Sequence, residues 1–221
     1  MPTPKLPPGW KKKDSDSRAG QQMHATEGEH GMSSTLPAPE RVAERAKEIM
    51  SAIEADPEFS AFTAAALKYD EAWTCFTGFP VIANWDLDAD KRPLLTEGLR
   101  ALSLKAAVYE MGGQDEDMTE IPVAVPVDEM MHAMIAQPQL LDRIAKRVGV
   151  SVIHQTDKEH HDYNAGDFTH TAYVAAWGEP NARYWVGHPE AQRRLNILDA
   201  KYEAAGFRRS GKAHSIDFAA A

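Results

Sequence analysis

Apolar residues in this chain recur at steps of three and four, and each run is cut short by proline or glycine. The longest stripe is Phe59, Phe62, Ala66, Tyr69, Trp73 and Phe76, closed by Gly78 and Pro80. An α-helix turns once in about 3.6 residues, so such side chains line up on one face. Other runs repeat the pattern: Val42, Ala46, Ile49 and Ile53; Leu94, Leu95, Leu99, Leu102, Ala106 and Tyr109; Leu140, Leu141, Ile144 and Val148; Leu195, Leu198 and Tyr202. Asp56-Pro57 supplies a cap and a first-turn proline, and Gly112, Gly149, Gly178 and Gly206 act as stops. Only Val150 to Ile153 reads as strand, and a short lone strand is expected to lie extended on the helices. The expectation is a mainly α fold: one compact multi-helix domain over residues 40–206 with one short extended segment. A disordered N-terminal arm, residues 1–39, precedes it, and a flexible tail, 207–221, follows.

Two boundaries follow from proline. A helix is expected from Pro93 to Met111, with Val81 to Asp90 as a connector carrying Trp85 among Asp86, Asp88 and Asp90. Those alternating aspartates lack the glycine and terminal glutamate of a calcium loop. A further helix is expected from about Pro126 to Gln137, entered from the extended run Ile121 to Pro126.

Composition narrows the function. A formal charge of −9 over 221 residues argues against a general nucleic-acid binder. The single cysteine, Cys75, rules out an internal disulfide framework and suits a reducing compartment. No apolar run approaches the length of a membrane span, and prolines 2, 4, 7 and 8 are incompatible with a signal peptide, so a cytoplasmic location is expected.

The polar residues that matter sit in apolar surroundings. Asp128 and His132 are four apart, hence stacked on one helix face, and His154 closes the extended run. Two imidazoles and a carboxylate make a common ligand set for zinc or iron with open positions, and His160, His161 or Tyr163 could complete it. The plainer reading is a structural network of Asp128, His132, His154 and Tyr163 that locks the extended segment to the helix, and it is preferred at this stage. The zinc motifs HExxH and CxxC are absent, as are the G-x-S-x-G elbow and glycine-rich nucleotide loops.

Val127-Asp128-x-x-Met131-His132, then Gly149-x-x-x-Ile153-His154, Tyr163, Thr171-x-Tyr173 and Trp177-Gly178 together resemble a known pattern. It is that of the glycine-rich domain-containing proteins of plants and their bacterial relatives, in which a VDxxWH helix follows a leucine-rich one. The resemblance covers about residues 93–178, with Met131 in place of the tryptophan and no glycine-rich region. It implies a helical domain and attaches no firm reaction to it.

The first functional expectation is a non-enzymatic module that binds a protein partner. Its contacts would be the arm around Trp10, Lys11, Lys12 and Lys13 and surface aromatics near Trp85, Tyr184 and Trp185. The alternative is a metal-dependent hydrolase or oxygenase built on Asp128, His132 and His154, with zinc or iron as cofactor.

Overall fold

Seven helices organise the protein in a computed structural model that describes residues 35–73, 81–155, 158, 162–208 and 213–214. They are α1 (Pro39–Glu54), α2 (Phe59–Trp73), α3 (Leu87–Met111), α4 (Val125–Ile135), α5 (Pro138–Val148), α6 (Phe168–Trp177) and α7 (His188–Ala204). A 3-10 turn at Asp117–Thr119 lies between α3 and α4. The mainly α class expected from periodicity is what the chain adopts.

α3 is the hub: it packs against α1, α2, α4 and α6. The sequence pattern suggested one buried side, yet every residue from 101 to 108 is buried. A helix enclosed on all sides must satisfy its polar groups internally. Ser103 does so by donating to the Leu99 carbonyl at 2.8 Å, and Lys105 by pairing with Glu120.

The start of α3 corrects the sequence expectation. The helix begins at Leu87, and Pro93 lies inside it. The decisive group is Asp86, whose side chain accepts from the Ala89 N–H at 2.9 Å, while Asp88 and Asp90 occupy the first turn. A capping carboxylate and two further acids at the positive end of the dipole fix the helix start there. The three alternating aspartates are therefore a helix entrance, not a connector.

Elsewhere the stripes need adjustment in detail. In α2, Phe62 and Ala66 are fully buried, but Tyr69 is exposed and Leu67 takes an inward position. Trp73 closes this helix; Cys75 and Phe76 lie outside the described residues. The C-terminal tail contributes a two-residue antiparallel ladder, β1 (Phe207–Arg208) with β2 (Ala213–His214), rather than being wholly irregular. Residues 1–34 of the N-terminal arm, with Trp10, Lys11, Lys12 and Lys13, lie outside the described residues, and Pro39 at its expected end already opens α1. No described helix is long and apolar enough to cross a membrane.

α4, which carries the site, is placed by its fit to α3. Gly98 in α3 faces it, and a Cβ there would come within 3.0 Å of the Met130 side chain and 3.3 Å of Met134. The missing side chain lets the two helices approach closely at the point where Met130, Met131 and Met134 enter the core.

Candidate metal centre

α4 starts one residue before the expected Pro126 and ends two before Gln137. Pro126 sits at the beginning of the helix, where its missing N–H costs nothing. Asp128 falls in the first turn and is 5 % exposed; His132 is one turn further along the same face.

His154 arrives from the other direction. α5 ends at Gly149, which adopts φ 77°, a left-handed conformation that suits glycine. The N–H groups of Gly149 and Val150 both donate to the Ala145 carbonyl, at 2.8 and 3.0 Å. The chain then runs without regular secondary structure through residues 150–155, as expected of a segment laid on helices. Its far end is pinned where the Gln155 N–H donates to Glu120 Oε1 at 2.9 Å. Oε2 of the same carboxylate accepts from Lys105 Nζ at 2.5 Å, and both charged side chains are only 2 % exposed. A buried ion pair thus holds the backbone next to His154.

The segment and the helix bring three side chains to one point. Asp128 Oδ2 lies 3.5 Å from His132 Nε2, and Asp128 Oδ1 lies 3.8 Å from His154 Nε2. The two imidazole centroids are 5.0 Å apart, with planes inclined at 48°. One potential ligand atom from each residue falls within 4.8 Å of the others. The His154 side chain is 1 % exposed and that of His132 33 %, so the group opens to solvent on the His132 side.

Glu129 supplies the outer support. Its Oε2 lies 3.3 Å from His132 Nδ1. An ionised carboxylate can only accept, so this hydrogen bond calls for a proton on Nδ1. Carboxylate-to-imidazole contacts of this kind orient metal-binding histidines. Nε2 is the atom turned toward Asp128. The sequence reading missed Glu129, although its spacing of three from His132 was visible.

The remaining candidates are placed differently. His160 and His161 lie outside the described residues. Tyr163 is buried and packs on Trp185, with centroids 4.9 Å apart, and near His170 at 6.3 Å. These ring contacts place it on the α6–α7 side of the molecule. Burial, with the Asp167 and Glu179 carboxylates nearby, raises its phenol well above the usual range.

The aromatics expected at the surface are not there. Tyr184 and Trp185 are each 4 % exposed, and Trp85 is half-buried against the core. Tyr184 and Trp185 serve two carboxylates on α3 instead. Glu97 Oε2 accepts from Trp185 Nε1 at 2.8 Å and from the Tyr173 hydroxyl at 2.7 Å, while Oε1 accepts from Arg100 at 3.0 Å. Arg100 also lies over the rings of Tyr173 and Trp177, 5.6 and 5.4 Å from their centroids. Asp90 accepts from the Tyr184 hydroxyl at 2.9 Å and pairs with Arg183 through two bonds of 2.6 Å. That guanidinium holds the Asp90 carboxyl down at about 2, against the opposing effect of burial.

Comparisons with family models, with curated proteins and with solved structures found no match for this chain. The reading of the centre therefore rests on its own geometry.

Proposed function

We propose that this is a helical metal-binding protein in which Asp128, His132 and His154 hold a divalent ion of the zinc or ferrous type. One observation carries the reading: both oxygens of a buried carboxylate face an imidazole Nε2, one from α4 and one from the segment after α5. Tetrahedral zinc with bonds of about 2.0–2.1 Å separates its ligands by about 3.3 Å. The two carboxylate–imidazole distances exceed that by only a few tenths of an ångström. The ligand atoms of all three lie within 4.8 Å of one another, so an ion would draw them together.

Three protein ligands leave positions for water and substrate. We put metal-activated water and hydrolysis first, since an ion at such a centre lowers the pKa of bound water toward neutrality. Oxygen chemistry is the reading if the resident metal is iron.

The competing view treats the three residues as a purely structural lock. Elemental analysis of the purified chain separates the two. About one zinc or iron per chain, lost in His154→Ala, supports the metal reading. Metal-free protein that takes up neither ion on addition refutes it.

The interaction reading rests mainly on the arm around Trp10, because Tyr184 and Trp185 are buried and Trp85 is half-buried against the core. Its test is co-purification of a partner with the full chain and with a variant lacking residues 1–34.

A further inference from the structure

A cavity of about 220 Å³ lies where the entry to α6, the α6–α7 loop and the entry to α7 meet. It shares no residue with the Asp128, His132 and His154 group. Local hydrogen bonds hold its frame. The His188 N–H donates to the Tyr163 carbonyl at 2.8 Å, which ties the start of α7 to the chain before α6. Asp167 accepts from the N–H groups of Asn164 and His170, at 2.8 and 2.7 Å.

Three rings line the space: Tyr163, Trp185 and His170. The planes of Trp185 and His170 are inclined to that of Tyr163 at 58° and 41°, so the rings form a cup rather than a flat stack. Aromatic faces carry negative potential and attract cations.

The charges select the ligand. Glu179 is the one carboxylate on the lining, and no lysine or arginine among the described residues joins it there. Its Oε2 stands 3.7 Å from His170 Nε2, beyond hydrogen-bond reach. Tyr163 is 3 % exposed, yet its hydroxyl has no hydrogen-bond partner among the described residues. Two carboxylates, Asp167 and Glu179, act on that hydroxyl, and no cation among the described residues offsets them. An anion would meet like charge in this cavity, and an apolar guest would leave the hydroxyl unpaired. A cation bearing N–H groups answers both.

We infer that this cavity binds a primary ammonium group on a short alkyl stem, its N–H donors shared between the Tyr163 oxygen and the Glu179 carboxylate and its stem against the Tyr163 and Trp185 rings. The volume lies below the roughly 300–1,000 Å³ of drug-sized sites, which limits the guest to a head and a few carbons. Such a head belongs either to a free small amine or to a lysine side chain of a partner peptide. The site stands apart from the metal reading and does not depend on it.

The test titrates the full chain by calorimetry, at fixed ionic strength, with n-butylammonium chloride. 1-Butanol and sodium butyrate serve as the neutral and anionic counterparts. The ammonium is expected to bind saturably at a single site per chain, about tenfold tighter than either. Glu179→Gln alters an exposed side chain and Tyr163→Phe removes only an unpaired hydroxyl, and circular dichroism checks that both variants keep the fold. Each should weaken the ammonium roughly 3- to 10-fold and leave 1-butanol unchanged. Nα-acetyl-lysine methylamide separates the sources: tighter binding than n-butylammonium assigns a partner's lysine, and equal or weaker binding assigns a free amine. The inference is overturned by absence of saturable ammonium binding, or by butyrate or butanol binding as tightly. An ammonium affinity unchanged in either variant overturns it too, since the cation would then sit elsewhere.

Discussion

His132 and His154, from a helix and from an irregular segment, bring their rings to within 5.0 Å of each other across one shared carboxylate. Two imidazolium ions so placed would repel. An ion bound between neutral rings would turn the same closeness into attraction and would tie α4 to the chain after α5. Metal binding would then be coupled to folding.

Loading the centre should stabilise the protein. An ion present at a hundred times its dissociation constant contributes about 2.7 kcal/mol. For a body of this size that corresponds to a rise in Tm of roughly 5–10 °C. Differential scanning calorimetry with and without a chelator measures it. His154→Ala should show no difference between the two conditions.

Glu129→Gln should weaken metal affinity about 10- to 100-fold while leaving the melting temperature of the metal-free protein nearly unchanged. Its side chain stands at the edge of the site, 17 % exposed, and its contact is with His132 Nδ1. Competition with a fluorescent zinc chelator reads the affinity. An unchanged dissociation constant would show that the carboxylate plays no part in orienting the ring.

The Lys105–Glu120 pair makes a two-part prediction. Glu120→Ala leaves a buried ammonium uncompensated, at a cost of about 3–5 kcal/mol. The double variant Lys105→Met with Glu120→Met should recover most of that stability in denaturant melts. Metal affinity should stay low in both, because neither can hold the Gln155 N–H that fixes the backbone beside His154. Restored affinity in the double variant would disprove the positioning role.

Asp90 sets an acid limit. Its carboxyl titrates at about 2 in the fold, under the influence of Arg183, against about 3.9 in an unfolded chain. A group whose pKa falls on folding stabilises above the unfolded value, and that contribution disappears as pH drops through the folded one. The contribution is about 2–3 kcal/mol at neutral pH. Asp90→Asn should therefore be less stable than the parent at pH 7, with the gap shrinking between pH 4 and 2. Urea melts across that range check it; a constant gap would contradict the assignment.

Much of the site was legible because its logic is local. The spacing of Asp128 and His132 fixes their common face, and Gly149 marks where the chain turns toward His154. The start of α3 was missed because Pro93 looks like a first-turn residue, whereas the cap is Asp86, seven positions earlier. The distant partners of Asp90, Glu97 and Glu120 could not be read from periodicity, since they come from 15 to 94 residues away. One clue was present. Asp90 and Glu97 fall on the same stripe as Leu94 and Ala101, and acids within an apolar stripe require distant donors. Trp185 and Tyr184 looked like interface residues for the same reason: their polar tips were visible and their acceptors were not.

The two α3 carboxylates also impose an order on synthesis. Asp90 and Glu97 leave the ribosome well before Tyr173, Arg183, Tyr184 and Trp185, which are separated from them by 76 to 94 residues. Until those donors emerge, the acids must stay hydrated, and α3 cannot be enclosed on that side. The nascent chain should thus remain protease-sensitive through most of translation and become resistant late, in a single step, once the stretch around Trp185 is free to dock.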